Sequence, residues 1–149
     1  MRITVPILTC QQGTPDLAPD FQKYAVTPKQ LGEQMLWLAY NSYTAITPDE
    51  LIDFQGERGG LARRPIMITF DDGYSDCVRY AVPILRKHGF KAIIYIVTSR
   101  VGKLSDWLGT QRMLKWPLAD WTELRHLSDI GFVCGVHSHN HNLTCHPAA

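Results

Sequence analysis

The chain has 149 residues, 45% of them hydrophobic and 19% charged, a balance that suits one soluble domain with a sizeable core. Its formal net charge is +1 with neutral histidines, so nothing in it points to nucleic acid or to an anionic membrane surface. No apolar run approaches the ~20 residues a spanning helix needs, and no transmembrane segment is expected.

Met1 to Leu8 is shorter than a secretory signal and has no small-residue cleavage site. No compartment is assigned on this basis. Ile3 to Thr9 is β-branched and apolar and is predicted to form the first core strand. Gln11 to Thr27 contains Gly13, Pro15 and Pro19 and reads as a long surface loop. Thr27-Pro28 then signals a helix, with Thr27 as its cap and Leu31, Met35, Leu38 and Ala39 as its apolar face. Tyr43 to Ile46 is a predicted short strand, and Thr47-Pro48-Asp49-Glu50 repeats the cap-plus-proline signal.

Arg63-Arg64 is read as flanking the next strand, Pro65 to Phe70, which delivers Asp71 and Asp72 at its end. Ser75 is expected to cap a helix through Val78, Val82 and Leu85, kinked by Pro83 and stopped by Gly89. Lys91 to Val97 is apolar without alternation, as in a strand covered on both faces. Thr98 to Leu118 reads as a second long loop, Asp120 to Ile130 as a helix, and Phe132 to Val136 as a strand delivering His137. Of the four cysteines, Cys10, Cys77, Cys134 and Cys145, none forms a C-x-x-C pair, and Cys77 and Cys134 are predicted core residues.

Strands alternating with helices imply a parallel sheet in a single α/β domain spanning 1–149. Asp71-Asp72-Gly73 and His137-Ser138-His139-Asn140-His141 both follow predicted strands. In a barrel they would share the face on which active sites lie. One carboxylate and two imidazoles suit a divalent ion such as zinc, with one position left open. If the strand ends near His137, a turn brings His137 and His141 to ~6 Å. If it continues, His137 and His139 share a face at ~7 Å, and His141 lies ~13 Å from His137. Two adjacent aspartates cannot both reach one ion from regular strand geometry. One can bind it and leave the other to accept a proton from water.

Thr69-Phe70-Asp71-Asp72-Gly73-Tyr74 resembles the first motif of the polysaccharide deacetylases, carbohydrate esterase family 4, which carry a NodB-like domain. His137-Ser138-x-x-His141 resembles their second motif. Val5-Pro6-Ile7-Leu8, Val26-Thr27-Pro28, Ala81-Val82-Pro83-Ile84-Leu85 and Lys91-Ala92-Ile93-Ile94-Tyr95 fit the same pattern at matching intervals. The resemblance implies a distorted, seven-stranded parallel (β/α) barrel, incomplete in this chain. It implies Asp71 as general base, Asp72, His137 and His141 as ligands of a divalent metal such as zinc, and the backbone N–H near Tyr74 as an oxyanion donor. The implied partner is an N-acetylated polysaccharide or oligosaccharide, and the implied reaction is removal of its N-acetyl groups.

The sequence also departs from the family. The first strand ends in Cys10-Gln11, where this branch often has Tyr-His, and His139 is an additional imidazole read as solvent-facing. The family's later motifs, which supply an arginine, groove walls and a histidine acid, have no counterpart here. The chain is therefore expected to be the N-terminal portion of such a domain, and an unclosed sheet would favour self-association. The alternative function is a catalytically impaired metal- or glycan-binding remnant.

Overall fold

The computed structural model describes residues 3–10, 26–107 and 115–141. In chain order, β1 (Ile7–Cys10) is followed by α1 (Pro28–Tyr40), β2 (Thr44–Ala45), α2 (Pro48–Gln55) and β3 (Pro65–Phe70). Then come α3 (Val82–Lys87), β4 (Ile93–Val97), α4 (Trp121–Asp129) and β5 (Val133–Ser138). The sheet runs β1-β3-β4-β5, with β2 paired to the start of β3, and every pairing is parallel. Among the described strands the sheet is open.

Three helices start on reciprocal caps. The side chains of Thr27, Thr47 and Asp120 accept from the backbone three residues on, and Gln30, Glu50 and Glu123 return the bond to the cap. Each cap supplies about 1 kcal/mol by satisfying donors the helix cannot pair. The apolar face of α1 buries Leu31, Met35 and Leu38, whereas Ala39 is exposed.

β3 is buried at every position because both of its faces are covered. Ile66, Ile68 and Phe70 join the large core under α1, α3 and α4, which Leu85 and Leu127 enter without exposure. Met67 points the other way, into a smaller cluster with Ile46 and Ile93. The buried run read in β4 likewise divides between the two clusters: Ile94 and Ile96 face the helices and Ile93 faces away.

Several expectations shift. β1 starts at Ile7 rather than Ile3, and Ile7 is 61% exposed, since among the described strands only β3 pairs with it. Ser75 does not cap a helix: it is itself helical, and its hydroxyl lies 3.5 Å from Glu123 Oε2. A π turn over Cys77–Ala81 precedes α3, just upstream of Pro83. A proline removes a donor and crowds the preceding turn, and a π turn is a common way to absorb that. Cys77 is buried as expected, but Cys134 is exposed because β5 lies at a sheet edge. Arg64 flanks β3, donating to the Asn41 carbonyl at 2.7 Å and lying 4.2 Å over the Tyr43 ring. Residues 11–25, which make up most of the first predicted loop, and Cys145 lie outside the described residues.

Candidate metal centre

β4 lies between β3 and β5, so the two strands that carry the reactive motifs run about 9.5 Å apart. Their side chains can meet only if a turn crosses the end of β4. The Asp72-Gly73 turn does so, with φ of 70° and 74° at the two residues. A Cβ on Gly73 would sit 3.1 Å from Ile96 Cγ2 and 3.3 Å from Ile96 Cα. Glycine therefore lets the turn rest directly on β4. Asp72 tolerates the left-handed region better than most residues, at a cost of about 1–2 kcal/mol.

β5 continues to Ser138, two residues past its predicted end. The chain then turns back. The His141 N–H donates to Ser138 Oγ at 2.8 Å, and the Ser99 N–H donates to the His139 carbonyl at 3.0 Å. His141 itself has φ 52°. The turn brings the His137 and His141 rings to a centroid separation of 5.2 Å.

The Asp72 carboxylate is buried, and its Oδ1 lies 3.1 Å from His141 Nε2 and 3.5 Å from His137 Nε2. That oxygen accepts no hydrogen bond among the described residues. The three potential ligand atoms lie within 4.8 Å of one another. Donors around a tetrahedral zinc stand about 3.3 Å apart at ordinary bond lengths. One carboxylate oxygen and two imidazole nitrogens therefore fit a divalent cation. A cation there would also relieve the cost of a buried carboxylate oxygen without a partner.

Asp71 is half-buried beside this group, and its N–H donates to the Cys10 carbonyl at 3.1 Å. Burial raises the pKa of its carboxyl most strongly. The charge on His137 opposes the rise, that on Asp72 adds to it, and that on His141 opposes it, with a net upward shift. Cys10, at the end of β1, is buried. Its burial, followed by the charge of Asp71, lifts the thiol pKa to about 11.

His139 is not one of the three converging residues. It is exposed, and its Nδ1 lies 2.9 Å from Thr98 Oγ1. Tyr74 bridges to Leu118, but the bonds of that bridge run from the Ser75 N–H to Pro117 and from the Ala119 N–H to Gly73. They leave the Tyr74 N–H out of the pairing.

Two contacts have no counterpart in the sequence reading. Tyr74 is buried, its hydroxyl feels the Asp72 carboxylate, and its ring lies 6.2 Å from that of Trp107. Burial, then the Asp72 charge, pushes the hydroxyl pKa upward. Trp107 stacks on His141, with ring centroids 4.4 Å apart and planes at 22°. Nothing in the sequence marks Trp107, which stands in an aperiodic loop with no spacing to place it. A groove of about 610 Å³ between β1 and α1, lined by Ile7 and Trp37 among others, contains none of the site residues.

The model of a family described as polysaccharide deacetylase matches residues 58–146. The Bacillus subtilis protein YxkH is 35% identical over 77 residues, which are 52% of this chain and 28% of that protein. A poly-β-1,6-N-acetyl-D-glucosamine N-deacetylase of Staphylococcus epidermidis is 28% identical over 83 residues, 56% of this chain and 28% of the relative. The matched segment thus spans little more than a quarter of these relatives. Among solved structures, the Streptococcus pyogenes deacetylase PplD, in complex with acetate, superposes with a TM-score of 0.75 at 21% identity. The match covers 95% of this chain and 59% of that one. IcaB from Ammonifex degensii gives 0.71 at 21% identity, covering 90% and 52%. These likenesses show the fold: a parallel α/β sheet of the NodB-like deacetylase type, consistent with an incomplete barrel.

Proposed function

Since the chain belongs to the polysaccharide deacetylase family, we propose that it acts as a metal-dependent hydrolase removing N-acetyl groups from an amino-sugar polysaccharide. The observation that carries this reading is the convergence of Asp72 Oδ1, His137 Nε2 and His141 Nε2. These three residues would hold the ion, and zinc suits the donor set. A divalent metal bound there supplies Lewis acidity, polarising the acyl carbonyl and acidifying a water.

The protein's own groups supply the rest. Asp71 adjoins Asp72 outside the converging set, so its carboxylate is free to take a proton from the attacking water. The Tyr74 N–H, which the bridge to Leu118 does not use, is available to the oxyanion that develops during acyl transfer. His137 is one-third exposed at its side chain while Asp72 is 6% exposed. Substrate would therefore approach from the His137 side. An N-acetylated glucosamine polymer is the proposed substrate class, in keeping with the name of the staphylococcal relative.

Acetate release from N-acetylglucosamine oligomers with added zinc or cobalt tests the reading. Release by the wild type and its loss in Asp71→Asn are the expected results. A wild type that binds metal stoichiometrically and releases no acetate would overturn the hydrolase and leave a metal-binding domain.

A further inference from the structure

We infer that Trp107 is a positioning residue for the metal centre, holding His141 by stacking and Asp72 through the Tyr74 hydroxyl. This rests on the metal-site reading above and deepens it. A metal-bound histidine usually has its second ring nitrogen fixed by a carbonyl or carboxylate, which sets the orientation of the ring. The Nδ1 of His141 is buried and has no hydrogen-bond partner among the described residues. The indole face of Trp107 lies against this ring instead, at 4.4 Å between centroids.

The same indole reaches a second ligand. Its ring lies 6.2 Å from that of Tyr74, whose buried hydroxyl feels the Asp72 charge, an arrangement that would set the hydroxyl between the indole N–H and the carboxylate. The indole N–H can only donate, so in this relay the hydroxyl would accept from it and give its own proton to the carboxylate. Tyr74 is 5% exposed, so this relay is shielded from competing water. One side chain thus restrains the imidazole from β5 and the carboxylate from β3, the two halves of the site that come from different strands. Both ligands it restrains have backbones in the left-handed region, where local geometry alone holds them least well.

The test measures Zn²⁺ affinity by competition with a chromophoric chelator, together with the Co²⁺ absorption spectrum and the quenching of tryptophan emission by Co²⁺. Loss of an outer-shell partner typically weakens metal binding about 10–100-fold, and Trp107→Ala is expected to fall in that range with an altered Co²⁺ spectrum. Trp107→Phe keeps a stacked ring and should recover part of the affinity. Tyr74→Phe should weaken binding by itself. Adding Trp107→Phe to it should cost less than Trp107→Phe costs in the wild type, because the indole N–H acts through the hydroxyl. Quenching should fall in Trp107→Phe and persist when Trp121, 57% exposed on α4, is replaced by Phe.

Wild-type affinity and spectrum in both Trp107 variants, with binding lost in Asp72→Ala, would overturn the inference and leave the metal site standing. Undiminished binding in Asp72→Ala would instead remove the metal reading itself. Should Trp107→Ala fail to fold, Trp107→Phe and its combination with Tyr74→Phe decide the matter.

Discussion

Asp72 Oδ1 and His141 Nε2 stand 3.1 Å apart, and both residues hold their backbones at positive φ, 70° and 52°. Two other described non-glycine residues do so, Ser42 and Glu57, and each follows the C-terminal end of a helix. At the site the strain instead accompanies two of the three converging side chains. Unfavourable backbone persists where the surrounding structure over-determines it. Here the contact of Gly73 with Ile96 and the bond from the His141 N–H to Ser138 supply that constraint.

Gly73→Ala should therefore be costly. The residue sits at φ 74°, and an added Cβ would lie 3.1 Å from Ile96 Cγ2. A loss of about 1–3 kcal/mol is expected, seen as a lower urea midpoint at unchanged slope, together with weaker metal binding as the turn lifts from β4. An unchanged midpoint would show that the turn does not depend on this close approach.

Asp120 caps α4, the helix that leads into β5, and accepts from the Thr122 and Glu123 N–H groups at 2.7 and 2.8 Å. Asp120→Ala should cost about 1 kcal/mol in chemical denaturation, and Asp120→Asn, which caps nearly as well, much less. Equal losses in the two variants would argue against a capping role.

Glu50 gives a pH dependence with a defined sign. Burial by itself would raise its pKa, but hydrogen bonds from Lys91 and Thr47, with the Lys91 charge, outweigh burial and bring it below 4.5. A carboxyl held below its unfolded value contributes stability above that value and loses it as pH falls through the folded pKa. The pair is substantially exposed, with its oxygen and nitrogen at 2.8 Å, so the effect is small. An NMR titration of the Glu50 carboxyl should give a midpoint below 4.5, moving up in Lys91→Met. No movement would remove the Lys91 contribution.

Much of this architecture is legible in the sequence because its signals are local. Thr-Pro pairs mark α1 and α2, and the apolar run from Pro65 to Phe70 is the observed span of β3. The three converging residues are also those the family resemblance implies as ligands, whereas spacing alone leaves His139 beside His141 and either aspartate as candidates. What the sequence does not show depends on tertiary neighbours. Cys134 sits in an apolar run, yet it is exposed because no further described strand covers β5. Ser75 has the chemistry of a cap, yet its hydroxyl is turned to Glu123 on α4. Trp107 belongs to no periodic element, and only the folded turn of β5 brings His141 beneath it.

The most direct measurement is a calorimetric zinc titration of the wild type beside Asp72→Ala, His141→Ala and His139→Ala. The structure predicts one ion per chain in the wild type, binding abolished or weakened at least tenfold by loss of Asp72 or His141, and binding within a few-fold of wild type after loss of the His139 imidazole. Equal affinity in all four proteins, or no stoichiometric binding in any, would contradict a metal centre built from Asp72, His137 and His141.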